Sequence, residues 1–431
     1  MNTLFEFLSF TDPNVRYVTF GAMLLTGSAA MMGTYTLLNK KALIGDAIAH
    51  AVLPGVCLGF ILAGNKDPLW ILLGAFITGA LSVYLIDFIV QHSRIKEDTA
   101  IALVLSVFFG AGVVMLTAIQ KSGNAAQSGL DQFLFGRAAA INRHDLLVFG
   151  ITAALIITSV ILFNRIFALI AFDSDYACTL GFPVKFIQFV QTSLIVLAVV
   201  VGIQAVGVVL MAAVLITPAA AARYWSDSVK GTLIIAGGTG LFSGLAGAFV
   251  SYAAPSMPTG PWIVVVASFI AFLSMFVSPR KGILIRHIRQ QRLRKTVADE
   301  NLLKIFYQLA ESDNSFFDER VRKDISGKRP LSTPHLSRRL NRLERQGYLE
   351  KTEKGWRLTE AGLMRAQRIV KIHRLWELYL TTYMNIAPDH VHDDADTIEH
   401  LLTPELEQEL EKQLGYPKSD PHRSQIPYRK S

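Results

Sequence analysis

The chain has 431 residues, of which 51% are hydrophobic, and a formal net charge of +8. Its two cysteines, Cys57 and Cys178, exclude a disulfide scaffold and a zinc site built on paired cysteines. Residues 1–279 carry 13 Lys/Arg and 12 Asp/Glu, whereas residues 280–431 carry 29 and 22. An apolar part with few charges followed by a charged part predicts a membrane domain and then a soluble domain.

Nine apolar segments are predicted to cross the membrane, because each has close to the ~20 residues that a spanning helix needs. They lie at 15–38, 43–63, 68–91, 97–118, 145–168, 186–204, 206–222, 231–253 and 260–279. The sixth and seventh could instead form one broken pair, which gives eight spans. The N-terminus lacks the basic start and small-residue cleavage site of a signal peptide, so the first segment is expected to be retained.

Basic residues orient these segments, since cytosolic connections carry an excess of Lys and Arg. They fall in alternate connections, at Lys40/Lys41, Arg94/Lys96, Lys185, Arg223/Lys230 and from Arg280 onward. The pattern predicts an outside N-terminus and a cytosolic C-terminus, although the outer loop 119–144 also carries three basic residues.

The second segment contains Asp46 and His50, which are four residues apart and therefore share one face of a helix. A carboxylate and an imidazole inside a membrane are costly unless they face a cavity or a partner. Together they offer one oxygen and one nitrogen donor, a set that suits Mn, Zn or Fe(II). The pair is interpreted either as part of a metal pathway or as a polar contact between two helices.

Two further features bear on transport. Pro218 interrupts an apolar run and predicts either a hinge or a static kink. Asp173 begins a short helix that ends at Gly181 between two spans, and this helix is either a docking site for a motor protein or a plain connector. The chain has no GxxxxGK[ST] loop, so an ATPase that drives transport must be another chain.

Residues 15–280 resemble the permease subunits of the manganese/zinc/iron-chelate ABC importers. The resemblance lies in GDAIAHAVLPG (45–55), EDTAIALVLSVFFGAG (97–112), LDQFLFGRAAAI (130–141), FDSDYACTLGF (172–182) and VGVVLMAAVLITPAAAAR (206–223). It implies a non-enzymatic, multi-pass subunit of the bacterial inner membrane. It also implies a second permease chain (identical or related), two cytosolic ATPase subunits and an extracytoplasmic metal-binding protein. It places Asp46 and His50 on the metal path and gives Asp173, Ala177 and Gly181 the role of coupling to the ATPase.

The charged part begins with a basic stretch and continues as a winged helix-turn-helix. Residues 280–295 hold seven Lys/Arg and no acidic residue. This stretch is interpreted either as a linker, 281–297, or as an amphipathic helix that lies on anionic headgroups. In 298–364, a basic helix is followed by two short strands around a turn at 353–355, an order that predicts a helix in the DNA major groove. The predicted DNA contacts are Ser332, Thr333, His335, Arg338, Arg339 and Arg342. The alternative is a protein-docking module.

The last part, 365–431, carries six nitrogen and oxygen donors at helical spacing. They are His373, Glu377, His392, Asp396, Glu399 and His400. Without a cysteine, this set favours Mn(II) or Fe(II) over structural zinc, and the alternative is a solvated polar face.

Residues 299–427 resemble the diphtheria toxin repressor family of iron- and manganese-dependent regulators. The resemblance lies in HRLWELYL (373–380), HDDADTIEHLL (392–402) and LGYPKSDPHRSQIP (414–427). It implies that the six donors bind a regulatory metal and that 365–431 forms a metal-binding and dimerisation domain. The chain departs from the family in its first helix, where Asn301, a weak donor, stands at a ligand position and Lys304, which is no donor, follows one turn later.

The sequence as a whole predicts a mainly α fold: a bundle of 8–9 spans (1–280), a winged-helix domain and a helical metal-binding domain. The predicted function is the permease subunit of an ATP-driven importer of Mn, Fe or Zn, fused to a cytosolic regulator that senses the metal and binds DNA. In the alternative, the C-terminal domain regulates transport without binding DNA. A carrier driven by an ion gradient is disfavoured, because paired inverted repeats are not evident.

Overall fold

The structure is a computed structural model that describes residues 2–64, 67–121, 136, 141–254, 257–328, 333–384 and 402–428. The chain divides into two units, Met1–Arg286 and His287–Ser431, and each has a hydrophobic core of its own. The division falls inside the predicted linker, 281–297. The fold is mainly α, as predicted.

In the first unit, α1 spans Asn2–Leu8, α2 Pro13–Leu38, α3 Ile44–Ala63, α4 Pro68–His92, α5 Glu97–Lys121, α6 Arg143–Phe172, α7 Ser174–Thr179, α8 Val184–Val206, α9 Val208–Trp225, α10 Val229–Ala253 and α11 Thr259–Val277. Aspartate-proline pairs begin two of them. The side chains of Asp12 and Asp67 accept hydrogen bonds from backbone amides of α2 and α4, and a proline follows each cap. Proline fits this first position because the N–H that it lacks would be unpaired there.

Nine helices match the nine predicted segments in the described part of the chain, and eight of them are long and apolar enough to cross a membrane. The ninth, α2, has 26 residues but falls short on composition. Its buried residues include Gly21, Gly27 and Gly33 together with threonines and a serine. Small residues lower hydropathy but let helices approach closely inside a membrane. Helix α2 is therefore adapted to protein neighbours rather than to lipid.

Helices α2 and α10 pack antiparallel through such small residues. The Thr26 hydroxyl donates to the Gly240 carbonyl oxygen at 2.7 Å. A Cβ on Gly240 would lie 2.4 Å from the carbonyl oxygen of Thr26, and one on Gly244 would lie 2.9 Å from that of Ala22. Larger side chains at these glycines would force the two helices apart.

Helices α8 and α9 are separate helices, each long and apolar enough to cross a membrane, and the single residue Gly207 joins them with a φ of 91°, a left-handed conformation that favours glycine. Beside this junction, a Cβ on Gly260, at the start of α11, would lie 3.1 Å from the carbonyl oxygen of Val206. At the other end of α11, the Ser278 hydroxyl donates to the Tyr224 carbonyl oxygen near the end of α9. Helices α9 and α11 therefore run in the same direction, which fits nine alternating spans.

In the second unit, α12 spans Ile283–Asp313, α13 Arg322–Lys328, α14 Thr333–Arg345, β1 Leu349–Lys351, β2 Trp356–Leu358, α15 Glu360–Tyr383 and α16 Pro404–Gln413. The two strands pair antiparallel, with Leu349 opposite Leu358 and Lys351 opposite Trp356. Residues of α12, α14, both strands and α15 share one core. A helix followed by a two-stranded hairpin is the order that the sequence predicts for a winged helix-turn-helix.

Candidate functional site

Asp46 and His50 lie on successive turns at the start of α3, and the structure brings their side chains together. Nε2 of His50 is 3.5 Å from Oδ1 of Asp46. The Asp46 side chain is 40% exposed and that of His50 is 19% exposed, so the carboxylate is the more accessible of the two. One oxygen and one nitrogen donor are thus available to a single cation.

The other side of the His50 ring faces protein. Nδ1 is buried and has no hydrogen-bond partner among the described residues. The ring of Phe109, in α5, stands perpendicular to the imidazole, with an interplanar angle of 83° and a centroid separation of 4.9 Å. The imidazole thus presents Nε2 to the carboxylate, while its buried Nδ1 has no hydrogen-bond partner among the described residues.

Glycines allow α3 to lie very close to its neighbours beyond His50. A Cβ on Gly55 would lie 2.2 Å from the Gly74 carbonyl oxygen in α4, and one on Gly112 in α5 would lie 2.9 Å from the Pro54 side chain. Pro54 also lacks an N–H, so the carbonyl oxygen of His50 has no donor four residues along the helix. The backbone around the site is therefore tightly packed, and the His50 carbonyl lacks its usual helical donor.

The end of the bundle at which α3 begins is tied together by Lys41, and we call it the Lys41 end. Nζ of Lys41 lies 2.8 Å from Oδ1 of Asp87, near the end of α4, and 3.8 Å from Oε1 of Glu97, at the start of α5. Ala47 packs in a small core with residues of α4 and α5 beside these charges. Asp46 is thus about one turn from this charged end of the bundle.

The predicted coupling residues form a capped helix. The Asp173 carboxylate accepts from the Tyr176 amide at 2.9 Å, Ala177 is fully buried, and Gly181 takes a φ of 83° just after α7. Tyr176 and Leu180, each 53% exposed, were not among the predicted residues. Their apolar side chains in a polar interval are the sequence signal that indicates a docking surface.

Four of the predicted DNA-contacting residues can be placed on α14. His335 and Arg338 are exposed and Arg339 is half-buried, whereas Nε of Arg342 lies 3.2 Å from the buried carboxylate of Asp299 in α12. Burial raises the pKa of Asp299 despite the nearby guanidinium groups of Arg342 and Arg339, which act to lower it. Ser332 lies outside the described residues, and only the backbone of Thr333 is described.

Arg345 is exposed seven residues after Arg338 on the same face of α14, but it is absent from the predicted contact set. Its seven-residue spacing from Arg338 is the sequence signal that could have added it to the predicted DNA contacts. The exposed basic face of α14 is therefore centred on Arg338 and Arg345.

His373 and Glu377 form the described part of the predicted cytosolic metal site. Both are buried on α15, with Nε2 of His373 3.0 Å from Oε1 of Glu377. The other predicted ligands, His392, Asp396, Glu399 and His400, lie outside the described residues. Within the described ranges, no group of three or more His, Cys, Asp or Glu is placed to hold a metal. One nitrogen and one oxygen donor fit a divalent transition metal.

Known families match both parts of the chain. The sequence model of the ABC 3 transport family matches residues 11–278, which are more than half of the chain. The model of the iron dependent repressor, metal binding and dimerisation domain matches residues 359–428. The predicted resemblances are confirmed in both parts.

Individual relatives agree with these matches. The manganese transport system membrane protein MntC of Bacillus subtilis is 42% identical over 392 residues, which are 90% of this chain and 88% of that protein. The zinc transport system membrane protein TroC of Treponema pallidum is 38% identical over 284 residues, covering 66% of this chain and 95% of that protein. The solved structure of PsaBC from Streptococcus pneumoniae in complex with Fab has a TM-score of 0.59 at 30% identity, covering 67% of this chain and 99% of that chain. The chain therefore belongs to the ABC 3 transport family, as a membrane permease that carries a C-terminal domain of the iron-dependent repressor type.

Proposed function

We propose that this permease imports Mn(II) across a bacterial inner membrane and that Asp46 and His50 bind the ion on its way. The observation that carries the proposal is the approach of Nε2 of His50 to 3.5 Å from Oδ1 of Asp46 on a helix of the bundle. A carboxylate and an imidazole without a thiolate suit manganese. The relative that extends over 90% of the chain is a manganese transport protein, which supports the same metal.

The direction of transport follows from the distribution of charge. The connections at the Lys41 end carry Lys40/Lys41, Arg94/Lys96, Lys185 and Arg223/Lys230, and this bias favours a cytosolic location for that end. An extracytoplasmic binding protein would then deliver the ion to the opposite end. Two ATPase subunits would dock at α7, and a second permease chain would complete the pathway. The C-terminal unit would lie in the cytosol, because α11 finishes at the Lys41 end.

ATP-dependent uptake of radioactive Mn(II) tests this function in proteoliposomes that contain the permease, its ATPase and its binding protein. Asp46→Asn and His50→Ala should each lower uptake by more than about tenfold, since even indirect partners of a metal ligand contribute about 10–100-fold. Asp98→Asn and His92→Ala are matched controls, because both residues are exposed at the ends of α5 and α4. Equal uptake by all four variants would refute the proposal.

We also propose that the C-terminal unit senses the imported metal through His373 and Glu377 and binds DNA through α14. The match to the iron dependent repressor domain and the buried donor pair support the sensor, and the exposed Arg338 and Arg345 support the DNA contact. Arg338→Ala with Arg345→Ala should abolish metal-dependent binding to a labelled duplex. If the double variant loses regulation of uptake instead, the unit is a transport regulator that does not act on DNA.

A further inference from the structure

We propose that Phe109 is a positioning residue of the transmembrane metal site, which holds the His50 imidazole so that Nε2 stays directed at Asp46. The inference rests on the proposed function, in which Asp46 and His50 bind the metal. It adds a residue on another helix that determines how well this pair can bind.

The two nitrogens of His50 have different surroundings. Nε2 lies 3.5 Å from Oδ1 of Asp46, whereas Nδ1 is buried and has no hydrogen-bond partner among the residues that the structure describes. A histidine that binds a metal through one nitrogen usually donates its other N–H to a polar group, which fixes the ring and its tautomer. At His50, no conventional acceptor among the described residues fixes the ring in this way.

An aromatic ring packs against the His50 imidazole. Phe109 stands perpendicular to the imidazole at a centroid distance of 4.9 Å. In a perpendicular pair, the electropositive edge of one ring meets the electronegative face of the other, and an N–H directed at such a face is a weak hydrogen bond. With the proton on Nδ1, the lone pair of Nε2 is available on the side of Asp46. Packing against Phe109 therefore restrains the imidazole, whose Nδ1 has no conventional acceptor among the described residues.

Close packing of α3 against α5 sets the position of Phe109. The Cys57 thiol lies 3.8 Å from the Gly112 carbonyl oxygen, and a Cβ on Gly112 would lie 2.9 Å from Pro54. This close approach fixes the register between α3 and α5. Phe109 lies three residues before Gly112, and His50 lies four residues before Pro54, so both rings are one turn from the closest contact. The packing of the two helices therefore brings the rings together.

The two donor side chains differ in their exposure to solvent. The Asp46 side chain is 40% exposed, but His50 is only 19% exposed because Phe109 lies against its ring. A phenyl ring cannot bind a metal, and it excludes water from the side of the imidazole that it faces. The Asp46 carboxylate is therefore the more accessible donor of the pair.

The experiment compares ring shape with apolar volume at position 109. ATP-driven Mn(II) uptake is measured for the full complex in proteoliposomes, with the amount of folded protein determined for each variant. Phe109→Leu removes the ring and should raise KM about tenfold with Vmax within about twofold, as for loss of an outer partner of a metal ligand. Phe109→Tyr keeps the ring and should restore KM to within about twofold of the original protein.

The matched control is Phe108→Leu. Phe108 precedes Phe109 on α5 and packs against the small core around Ala47, so its loss tests general packing of the same helix. It should leave KM unchanged. Equal KM values for Phe109→Leu and the original protein would overturn the inference while His50→Ala still abolishes uptake. A lower Vmax with unchanged KM would overturn it as well, because that result indicates a structural or gating role. Normal uptake by His50→Ala would instead refute the proposed function itself.

Discussion

Nζ of Lys41, in the connection between α2 and α3, lies 2.8 Å from Oδ1 of Asp87 near the end of α4. Glu97, at the start of α5, is 3.8 Å from the same ammonium. A single cation therefore links the ends of three helices next to the turn that carries Asp46. We expect this cluster to hold the ends of these helices together.

Breaking this ion-pair cluster is expected to cause a leak of Mn(II) rather than loss of the fold. Half-exposed ion pairs contribute at most about 1 kcal/mol, which corresponds to roughly a fivefold change in the population of an open state. Lys41→Met should therefore raise ATP-independent release of Mn(II) from preloaded proteoliposomes about fivefold. Lys230→Met, at an exposed lysine of α10, should not change this release. An unchanged leak in Lys41→Met would mean that the cluster only anchors the loop.

The contact between α2 and α9 depends on Gly33. A Cβ at this position would lie only 1.7 Å from the carbonyl oxygen of Leu215, whereas a Cβ on Gly110 would meet nothing within 4 Å. Overpacking a buried contact typically costs about 1–3 kcal/mol. Gly33→Ala should lower the thermal midpoint of the purified protein in detergent, measured by the loss of the monodisperse peak after heating. Gly110→Ala should leave the midpoint unchanged or raise it slightly, and equal losses in both variants would contradict the prediction.

In the C-terminal unit, Glu407 of α16 holds the helix against α15. Burial alone would raise the pKa of Glu407, but hydrogen bonds from Lys371 and Arg368 outweigh it and lower the pKa. A depressed pKa stabilises the fold above the ordinary glutamate range, and this contribution disappears as pH falls through the folded-state pKa. Burial acts to lower the pKa of Lys371, but the hydrogen bonds of its ammonium to Glu407 and Glu411 outweigh burial and raise the pKa, so its contribution is lost only at strongly alkaline pH.

Glu407→Gln should therefore weaken the contact between α15 and α16 at pH 7 by about 1–3 kcal/mol, because Lys371 loses a charged acceptor. Hydrogen exchange of the full chain, read by mass spectrometry over residues 404–413, measures the change. The difference from the original protein should shrink as the pH falls below the ordinary glutamate range. Glu409→Gln, at an exposed position of the same helix, should behave like the original protein at both pH values.

The pairing of Arg342 with Asp299 predicts that the basic helix is partly restrained. Asp299→Asn removes the carboxylate and leaves the guanidinium of Arg342 available to a phosphate. Affinity for a labelled duplex should rise about threefold to tenfold, with a salt dependence steeper by about one ion. Fluorescence anisotropy with the full chain measures both quantities. Asp313→Asn, which breaks an ion pair with Arg320, is the control, and equal affinities in all three proteins would exclude Arg342 from the DNA contact.

Lys304 is expected to limit the metal affinity of the C-terminal unit. It is 7% exposed, between Leu303 and Ile305, which share a core with Val370 three residues before His373. The resemblance to the repressor family places Lys304 one turn after a ligand position, and an ammonium close to a divalent cation repels it, so Lys304→Glu should tighten Mn(II) binding by at least about tenfold. Titration of the full protein, followed by electron paramagnetic resonance in a His50→Ala background, isolates this site. Lys351→Glu, on an exposed strand, should have no effect, and unchanged affinity in Lys304→Glu would contradict the expectation.

The elements of the fold could be predicted because their signals are local. Apolar length predicted the nine long helices, and the aspartate-proline pairs correspond to real helix starts. The four-residue spacing of Asp46 and His50 predicted that they share one face of a helix, and in α3 their side chains lie 3.5 Å apart. The broken pair considered for the sixth and seventh segments was resolved by Gly207, whose left-handed backbone separates two helices.

The contacts that shape the sites could not be predicted in the same way. Phe109 lies 59 residues from His50, and Arg342 lies 43 residues from Asp299, so no sequence period connects either pair. Each contact is a product of helix packing, which depends on where small residues permit close approach. The sequence therefore indicated candidate side chains, while the structure identified the residues that contact them.

The composition of α2 affects whether the number of membrane spans is counted as odd or even. Eight helices among the described residues have the length and hydropathy of membrane spans, and an even number would place both termini of the permease on one side of the membrane. Including α2 would make the number odd and place the termini on opposite sides. The glycines that let α2 pack against its neighbours also lower its hydropathy, so a topology based on hydropathy alone would place one terminus on the wrong side. Reporter fusions at both ends would register this difference as opposite signals.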